Sequence, residues 1–477
     1  MTYLQDFTSH QTKRKTASAK HPAPKHPALG RKLTKYTKYG IIKQHSLNNN
    51  RNKYLKTKKE ARCLTVQQLQ DATAKYETIK NRIKLITMTV NPVEMVTPIN
   101  LGEAKANWIE NAKNGVFVNP IFHYDYTAII REIQKIPMIE NLRTDLAATS
   151  PDTEAEKFLY EHLMDVLYDT LHSLRAFEAI VKGNDKVSAS HFLAKYGQSD
   201  SHMYWLAINL AEHGTTSKTQ KTVKLSAEDT KLLLNAKLNA EFIRQMFIWA
   251  MEQYGEPWPV EIQTNCAAID VRDKNSLGKP SIVIPADKRV SGFKLVELIG
   301  HEIECHWRGS INAERIGLLK ADSEIIYEGV AKLKDYQFGA DFLGEATMPK
   351  PYYIIAERQA MLGYSFAEVG QNLTNLLNGD AKRAWGFTYR TFRGITDTTN
   401  GASYAFTKDR AYLEGFILAR AMAQNPNNGF TEFSTLNPVT FAKLSKLLDR
   451  SELETQFTKD QHIQEAALRE ILKRLKS

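Results

Sequence analysis

The sequence predicts an α+β protein that is mostly helical and carries a small β-sheet. Over long stretches of the 477-residue chain, apolar residues recur at helical spacing. Two short strand-like runs, Trp258–Thr264 and Ser281–Pro285, are joined by a polar turn at 273–278. We therefore expect a helical body in which a small sheet precedes the histidine-containing run Leu298–His306.

The helices before the sheet follow from apolar spacing and from capping residues. Leu64–Leu85 has helical spacing and predicts a helix that joins the N-terminal segment to the body. Ser150 and Pro151 supply the N-cap and the first turn of a long helix. The apolar stripe of this helix predicts a packed core, and it consists of Phe158, Leu159, Leu163, Val166, Leu167, Leu171 and Leu174.

Further helices are predicted on both sides of the sheet. Ser226 starts a helical region, and Leu232–Trp249 reads as one long amphipathic helix. After the sheet, Tyr352–Leu377 is helical with a break at Gly363. The amphipathic run at 452–476 predicts a helix that caps the fold.

The run Leu298–His306 contains the pattern H-E-x-x-x-H at His301, Glu302 and His306. Neutral imidazoles suit Zn²⁺, and a neighbouring carboxylate can take a proton from a metal-activated water. The familiar zinc-peptidase spacing is one residue shorter. On a straight α-helix, residues i and i+5 point about 140° apart, so both rings reach one metal only if a π-bulge or a helix end lies between them. The alternative is a structural histidine pair.

A catalytic zinc needs a third protein ligand. The next apolar helical run, Ser323–Ala331, carries Glu324 and Glu328 four residues apart on one helical face. Gly329 directly follows Glu328 and would let two helices approach closely. The residues alone leave both glutamates open as the third ligand, with a solvated carboxylate as the alternative for Glu324.

Together these stretches resemble the family of microtubule-associated tyrosine carboxypeptidases. They also resemble its bacterial relatives, the flavohaemoglobin-expression-modulating proteins with a Gln-Glu-Gly-Leu-Ala motif. The similarity spans roughly residues 101–467, and it departs at Tyr327–Ala331, which reads Tyr-Glu-Gly-Val-Ala, and at Glu304-Cys305, where Gly-Thr is usual. Other family-like stretches occur in the expected order at Asn119–Phe122, Lys195–Gly197, Gly363–Phe366 and Phe406–Gly415.

The resemblance implies a zincin-like metallopeptidase with the small sheet beside the active-site helix. In such peptidases an edge strand holds an extended peptide by main-chain hydrogen bonds. Carried over to this chain, the resemblance gives His301, His306 and Glu328 as the Zn²⁺ ligands and Glu302 as the general base. It further implies that the substrate is a peptide or protein C-terminus from which a tyrosine or another aromatic residue is removed.

The region Arg390–Glu414 disperses polar side chains among glycines and threonines, which predicts a loop near the active site. A metallopeptidase needs an electrophilic group for the oxyanion, and a carboxypeptidase needs a fixed cation for the terminal carboxylate. Tyr412 is the first candidate for a substrate-side role. Arg390, Arg393 and Lys408 are candidate cations, with a surface salt bridge as the alternative for each arginine.

The net charge of +11 is distributed unevenly. Residues 1–63 hold 16 of the 64 lysines and arginines but only two of the 53 acidic residues, so they carry +14 and the remainder carries −3. This composition predicts a disordered basic extension at 1–62, which either binds an acidic partner or nucleic acid or is a solvated, dispensable segment. The predicted organisation continues with a linker helix at 63–97 and a zinc metallopeptidase domain at 98–477.

Composition also bears on location. No apolar run approaches the ~18 residues that a membrane span needs, and the first ten residues lack the features of a signal peptide. Three scattered cysteines do not form a disulfide framework. These observations predict a cytoplasmic location for the protein.

The sequence as a whole predicts a zinc-dependent metallopeptidase, and most specifically a carboxypeptidase. An endopeptidase or an aminopeptidase with the same zinc chemistry is the alternative among enzymes. The alternative from another class is a nucleic-acid-binding or partner-binding protein that has only a structural zinc. Structural zinc is usually closed by four protein ligands and is rich in cysteine, and this pattern is not the one at Leu298–His306.

Overall fold

The computed structural model of the chain describes residues 64–87, 90–255, 257–264, 266, 268–272, 280–319, 324–399, 405–424, 440, 443–444, 447–448 and 463–477. The predicted basic extension at 1–62 lies outside these residues. So do the predicted turn at 273–278 and the first part of the predicted helix at 452–476.

Helices make up most of the described chain. In chain order the α-helices are α1 (Val66–Thr87), α2 (Pro92–Met95), α3 (Leu101–Lys113), α4 (Tyr126–Ile133), α5 (Ile136–Ala147), α6 (Glu154–Val181), α7 (Asp185–Tyr196), α8 (Ser201–His213), α9 (Ala227–Asn235), α10 (Ala240–Glu252), α11 (Gly292–Leu298), α12 (Arg308–Arg315), α13 (Glu324–Phe338), α14 (Tyr352–Met361), α15 (Phe366–Leu376), α16 (Ala381–Thr391), α17 (Ala411–Ala423) and α18 (Ile463–Lys476). Two π-helices (Ile299–Trp307 and Gly339–Leu343) and a 3₁₀-helix (Thr407–Arg410) complete the helical elements.

Within the described residues, the strands are short and form three small sheets. They are β1 (Thr216–Lys218), β2 (Leu238–Asn239), β3 (Val260–Gln263), β4 (Asp270–Arg272), β5 (Ser281–Pro285), β6 (Arg289–Val290) and β7 (Glu345–Thr347). β1 pairs with β7 and β2 pairs with β6, both antiparallel. In the three-stranded sheet, β5 lies in the centre with β3 parallel on one side and β4 antiparallel on the other. These elements confirm a mostly helical α+β fold.

The described residues form two hydrophobic cores, and the larger one is built around α6. Its buried face contains the predicted stripe from Phe158 to Leu174, with Leu171 only partly buried. Helices α1, α4, α5 and α7 pack against α6. Leu69, Tyr76 and Ile83 of α1 are buried in this core, so the helix predicted to link the N-terminal segment to the body packs into the body itself.

The second core lies between the three-stranded sheet and the helix that carries the histidines. All five residues of β5 are buried, and both predicted strands are confirmed. Ile282 and Ile284 of β5 belong to the same core as Ile303 and Trp307 of the first π-helix. The edges of this sheet are β3 and β4, and β4 also packs against that π-helix.

Capping residues set several helix boundaries, in part differently from the prediction. Ser226 caps α9 as predicted, because its side chain accepts a hydrogen bond from Asp229 N–H. The predicted N-cap at Ser150 was wrong: Thr153 caps α6. The Ser150 carbonyl oxygen instead accepts a hydrogen bond from Lys75.

The prediction of one helix at Leu232–Trp249 was also wrong. The chain breaks into α9 and α10, because Leu238 and Asn239 pair with β6 and the Asn239 side chain caps α10. The predicted break at Gly363 is confirmed, since this residue lies between α14 and α15 at a φ of +98°. Among the described residues, no helix is long and apolar enough to cross a membrane.

Candidate metal centre

The two motif histidines lie on a π-helix that interrupts an otherwise continuous helix. Ser291 caps α11, which runs into the π-helix Ile299–Trp307 and then into α12. Hydrogen bonds in a π-helix join residues five apart, so side chains at i and i+5 come to one side. This wide turn is one of the two geometries that the H-E-x-x-x-H spacing requires for a shared metal.

His301, His306 and Glu328 converge. One donor atom from each lies within 4.8 Å of the others, which gives a group able to hold a metal ion. Nε2 of His301 is 3.9 Å from Oε2 of Glu328. The two imidazole rings are 4.9 Å apart and nearly perpendicular, at 87°. The side chains of His301 and Glu328 are 14% and 16% exposed, so the cluster is largely shielded from solvent but not fully buried.

Glu328 reaches this position because α13 and α17 cross with almost no space between their backbones. A Cβ atom on Gly329 would overlap the backbone of Gly415, and a Cβ atom on Gly415 would overlap the carbonyl oxygen of Ile325. The predicted close approach at Gly329 is therefore confirmed, and its partner is α17. This crossing also brings the N-terminal turn of α17 beside Glu328. The side chain of Glu324 lies outside the described part of the chain.

Asp335 contacts His301 on the ring nitrogen that faces away from Glu328, and the sequence prediction did not include this residue. Both carboxylate oxygens lie 3.1 Å from Nδ1 of His301, and Nζ of Lys332 is 2.8 Å from Oδ2 of Asp335. A carboxylate on the second ring nitrogen fixes the tautomer and leaves Nε2 as a metal donor. The available signal was helical spacing, because Glu328, Lys332 and Asp335 lie at i, i+4 and i+7 on one face.

Glu302 is buried beside the cluster, with 9% of its surface exposed. Burial raises the pKa of this carboxyl to about 7; the charge of His301 lowers it, whereas those of Glu328 and Asp335 raise it further. A carboxyl group with a pKa near neutrality can both accept and donate a proton at pH 7. The position and the pKa of Glu302 therefore suit general acid–base chemistry.

The two departures from the family pattern have clear structural places. The ring of Tyr327, which replaces the usual Gln, stacks on His306 with centroids 3.7 Å apart and an interplanar angle of 16°. Glu304 forms an ion pair with Lys334, at 2.7 Å. Cys305 is buried in the larger core. Tyr327 thus orients a motif histidine, whereas Glu304 and Cys305 connect the π-helix to α13 and to the core.

The loop predicted across Arg390–Glu414 is confirmed in its middle, because residues 392–399 and 405–406 form turns and irregular chain, whereas both ends of the segment are helical. Arg390 is in the last turn of α16, and Tyr412 is the second residue of α17. Nη2 of Arg390 is 3.3 Å from the Tyr412 hydroxyl, to which it donates. Burial raises the pKa of Tyr412 well above its usual value, and the charge of Glu328 adds to the shift. The Tyr412 hydroxyl thus stays protonated and lies beside Glu328, the third donor of the cluster.

Arg393 and Lys408 lie on the two segments that flank these helices. Arg393 follows α16, and its guanidinium carbon lies 5.0 Å from the centre of the Tyr389 ring. Lys408 is partly buried on the 3₁₀-helix that precedes α17. The structure therefore brings Tyr412 and Arg390 together by a direct contact and places Arg393 three residues further along.

The donor set at this site fits a divalent transition metal. Two imidazoles and one carboxylate form the set that catalytic zinc sites use when the fourth position is left for water or substrate. Asp335 adds the outer carboxylate that commonly orients a metal-bound histidine. The fold and site thus define a mostly helical chain with a candidate mononuclear metal centre of two histidines and one glutamate, and with a second glutamate beside it.

Comparison with known proteins identifies the family. Residues 119–436 match the family profile described as microtubule-associated tyrosine carboxypeptidase. The match covers about two thirds of the chain, so the protein belongs to the microtubule-associated tyrosine carboxypeptidase family, as the sequence resemblance predicted. No curated protein and no solved structure matches the chain.

Proposed function

We propose that this protein is a zinc-dependent metallocarboxypeptidase that removes a C-terminal tyrosine or another aromatic residue from a peptide or protein. The observation that carries the proposal is the convergence of His301, His306 and Glu328 with Glu302 beside them. The family to which the chain belongs supports the same reaction, since its description names a tyrosine carboxypeptidase. A zincin-like arrangement of the sheet and the site helix is part of this proposal.

His301, His306 and Glu328 would hold the metal, and Asp335 would orient His301. When bound, zinc supplies Lewis acidity, which lowers the pKa of a water and polarises the scissile carbonyl. Glu328 contributes a negative charge to the ligand set, which a neutral amide at that position would not. The stacked ring of Tyr327 restrains His306.

Glu302 serves as the general base and then as the general acid. It accepts the proton of the attacking water and returns it to the nitrogen of the leaving residue. Its pKa of about 7, which burial raises from the usual carboxyl value, lets one side chain perform both transfers. Because Glu302 directly follows His301 in the chain, the Glu302 carboxylate stays close to the metal donors.

Tyr412 is the proposed hydrogen-bond donor to the oxyanion of the transition state. Its hydroxyl remains protonated because burial holds the pKa well above the usual value. Arg390 donates a hydrogen bond to this hydroxyl, which holds the hydroxyl oxygen in place. Donors of this kind stabilise the transition state more than the ground state.

Two alternatives make different predictions. An endopeptidase or aminopeptidase with the same centre would not depend on a free C-terminal carboxylate. A structural zinc would not depend on Glu302. The three-donor cluster among the described residues favours catalysis over structure, because structural zinc usually has four protein ligands.

Metal analysis combined with a peptide-library digest read by mass spectrometry tests the proposal. We expect about one zinc per chain and release of single C-terminal aromatic residues. His301→Ala and His306→Ala should lose the metal, and Glu328→Gln should weaken its binding. Glu324→Gln is the matched control on the same helix.

Three results would reject parts of the proposal. Full zinc retention in both histidine variants would reject the site. Zinc loss in Glu324→Gln but not in Glu328→Gln would reject the third ligand. Cleavage confined to internal bonds or to N-terminal residues would reject the carboxypeptidase assignment while leaving the zinc chemistry in place.

A further inference from the structure

The arginines at positions 390 and 393 lie three residues apart, yet their surroundings differ. Nη1 of Arg390 donates to the hydroxyl of Tyr353 at 2.7 Å. Nη2 donates to Tyr412 at 3.3 Å and is 2.8 Å from Oδ1 of Asp409. Both terminal nitrogens of Arg390 are therefore engaged, and a buried carboxylate neutralises its charge.

Among the residues that the structure describes, Arg393 has no such anionic partner. Its guanidinium carbon lies 5.0 Å from the centre of the Tyr389 ring. Its Nε and Nη1 atoms are buried and have no hydrogen-bond partner within the part of the chain that the structure describes. Removing a cation from water without supplying an anion or acceptors is costly. A ligand with a carboxylate would meet both the charge and the unused donors.

A series of contacts and charge interactions connects Arg393 to the cluster of His301, His306 and Glu328. Glu328 lies beside Tyr412 through the crossing of α13 and α17. The rings of Tyr412 and Tyr353 are 5.6 Å apart, and Arg390 bonds to both hydroxyls. The charge of Arg393 also reaches the Tyr353 hydroxyl, where it opposes the effect of burial on the pKa. From Glu328 outward, the polar groups thus follow the order Tyr412 hydroxyl, Arg390 with its carboxylate partner, and Arg393, for which the described residues supply no anion.

This order matches a chain terminus bound by its last residue. In a carboxypeptidase substrate the scissile carbonyl is at the metal, and the terminal carboxylate follows one residue further, at roughly 3.5 Å of chain per residue. A guanidinium binds a carboxylate in a bidentate fashion through two of its N–H groups. Nη2 of a guanidinium forms such a pair with either Nε or Nη1, and Nε and Nη1 of Arg393 are both buried without partners among the described residues.

From these contacts we infer that the two arginines have separate roles. Arg393 binds the terminal carboxylate of the substrate, whereas Arg390, held by Asp409, is a positioning residue that fixes the hydroxyls of Tyr353 and Tyr412. The inference rests on the proposed function and adds to it the residue that makes the enzyme an exopeptidase. Lys408 is not the carboxylate-binding cation in this assignment.

The test compares peptides that end in tyrosine as the free acid with the same peptides as C-terminal amides. Kinetics are measured for wild type, Arg393→Gln, Arg393→Lys, Arg390→Lys and Asp409→Asn. The control is Arg383→Gln, because Arg383 is an exposed arginine of the same helix as Arg390. Binding of both peptides is also measured by calorimetry in the Glu302→Gln background, which separates recognition from turnover.

Arg393→Gln should raise KM for the free acid about 10–100-fold, as expected for the loss of a hydrogen bond to a charged group. It should leave kcat nearly unchanged and abolish the preference for acid over amide in both assays. Arg393→Lys should restore part of that preference. Arg390→Lys and Asp409→Asn should lower kcat and keep the preference, and Arg383→Gln should behave as wild type.

Retained preference in Arg393→Gln, or loss of preference in Arg390→Lys alone, would overturn the inference. An absence of any acid preference in wild type would also overturn it, even if peptides are cleaved. If wild type binds the free acid selectively through Arg393 but cleaves no peptide, the inference stands and the proposed function fails. The two failures are therefore distinguishable.

Discussion

The carboxylate of Asp335 lies 3.1 Å from Nδ1 of His301 with each of its oxygens, so Nε2 of the same ring faces Glu328. The helix that supplies Glu328 thus also supplies the group that orients His301. Lys332, between them in sequence, neutralises part of the charge of Asp335. The metal ligand, the orienting carboxylate and its counter-ion therefore lie on one face of α13.

Replacing Asp335 by Asn should weaken zinc binding about 10–100-fold, as is typical when the outer carboxylate of a metal-bound histidine is lost. The amide can still accept a hydrogen bond from the ring but carries no negative charge. The measurement is a zinc titration against a competing chelator. Asp145→Asn, at an exposed surface ion pair, is the matched control. Equal zinc affinity in Asp335→Asn and wild type would show that the carboxylate does not support the metal site.

Replacing Glu302 by Gln should separate catalysis from folding. Gln is nearly isosteric but cannot take a proton at neutral pH, so turnover should fall by about 10²–10⁴. Zinc content and Tm should stay close to the wild-type values. Peptide turnover and zinc are measured in the same samples. Undiminished turnover at equal zinc content would refute the general-base role, and zinc loss would mean that Glu302 is itself a ligand.

Replacing Gly415 by Ala should destabilise the fold, because a methyl group there would overlap the carbonyl oxygen of Ile325. Overpacking of this kind costs about 1–3 kcal/mol. The matched control is Gly386→Ala, since Gly386 is also helical but has open space around a Cβ atom. That change should stabilise by about 0.5–1 kcal/mol. Urea unfolding gives both values, and a stabilising Gly415→Ala would contradict the described helix crossing.

His162 should make the protein less stable in mild acid. It is buried in α6, and its Nε2 accepts a hydrogen bond from the N–H of Leu319. Burial lowers its folded-state pKa from 6.5 to about 4. At pH values between these two, the unfolded chain binds the proton more tightly than the folded protein does. The contribution of neutral His162 to the free energy of unfolding is therefore fully present above pH 6.5 and is lost as pH falls toward 4. The loss reaches about 3 kcal/mol at most.

The free energy of unfolding, measured by urea at pH 7.5 and pH 5, checks this prediction. His162→Gln keeps an acceptor for Leu319 but does not titrate, so its stability should change less between the two pH values than that of wild type. His202→Gln, at an exposed histidine of α8, should retain the full wild-type change. An identical pH dependence in His162→Gln and wild type would contradict the assignment.

The sequence predicted features that depend on local chemistry. Both strands, the cap at Ser226 and the break at Gly363 follow from neighbouring residues alone. The convergence of His301 with Glu328 could also be predicted from the sequence, because the motif and the family resemblance point to the same residues. Apart from that convergence, which the resemblance supplied, these features need no knowledge of which distant segments meet.

The features that sequence reasoning missed depend on tertiary partners. The helix at Leu232–Trp249 breaks because β6 supplies a strand partner, and no periodicity of the run itself encodes that pairing. Asp335 acquires its role only because α13 packs against the π-helix. Arg390 likewise appears as one of several loop cations until its contacts with Tyr353 and Asp409 are known.

The π-helix has a consequence for how this chain can change. Deleting one residue between Glu302 and His306 would restore the shorter H-E-x-x-H spacing and an α-helical turn. Because the wide π-turn already takes up the extra residue, the residues after the deletion would keep their rotation about the helix axis. Trp307 and Ile311, buried against the sheet, would therefore stay in their core. The extra residue is thus confined to the turn that carries the histidines, and a one-codon deletion could convert this centre to the shorter spacing without repacking the helix that follows.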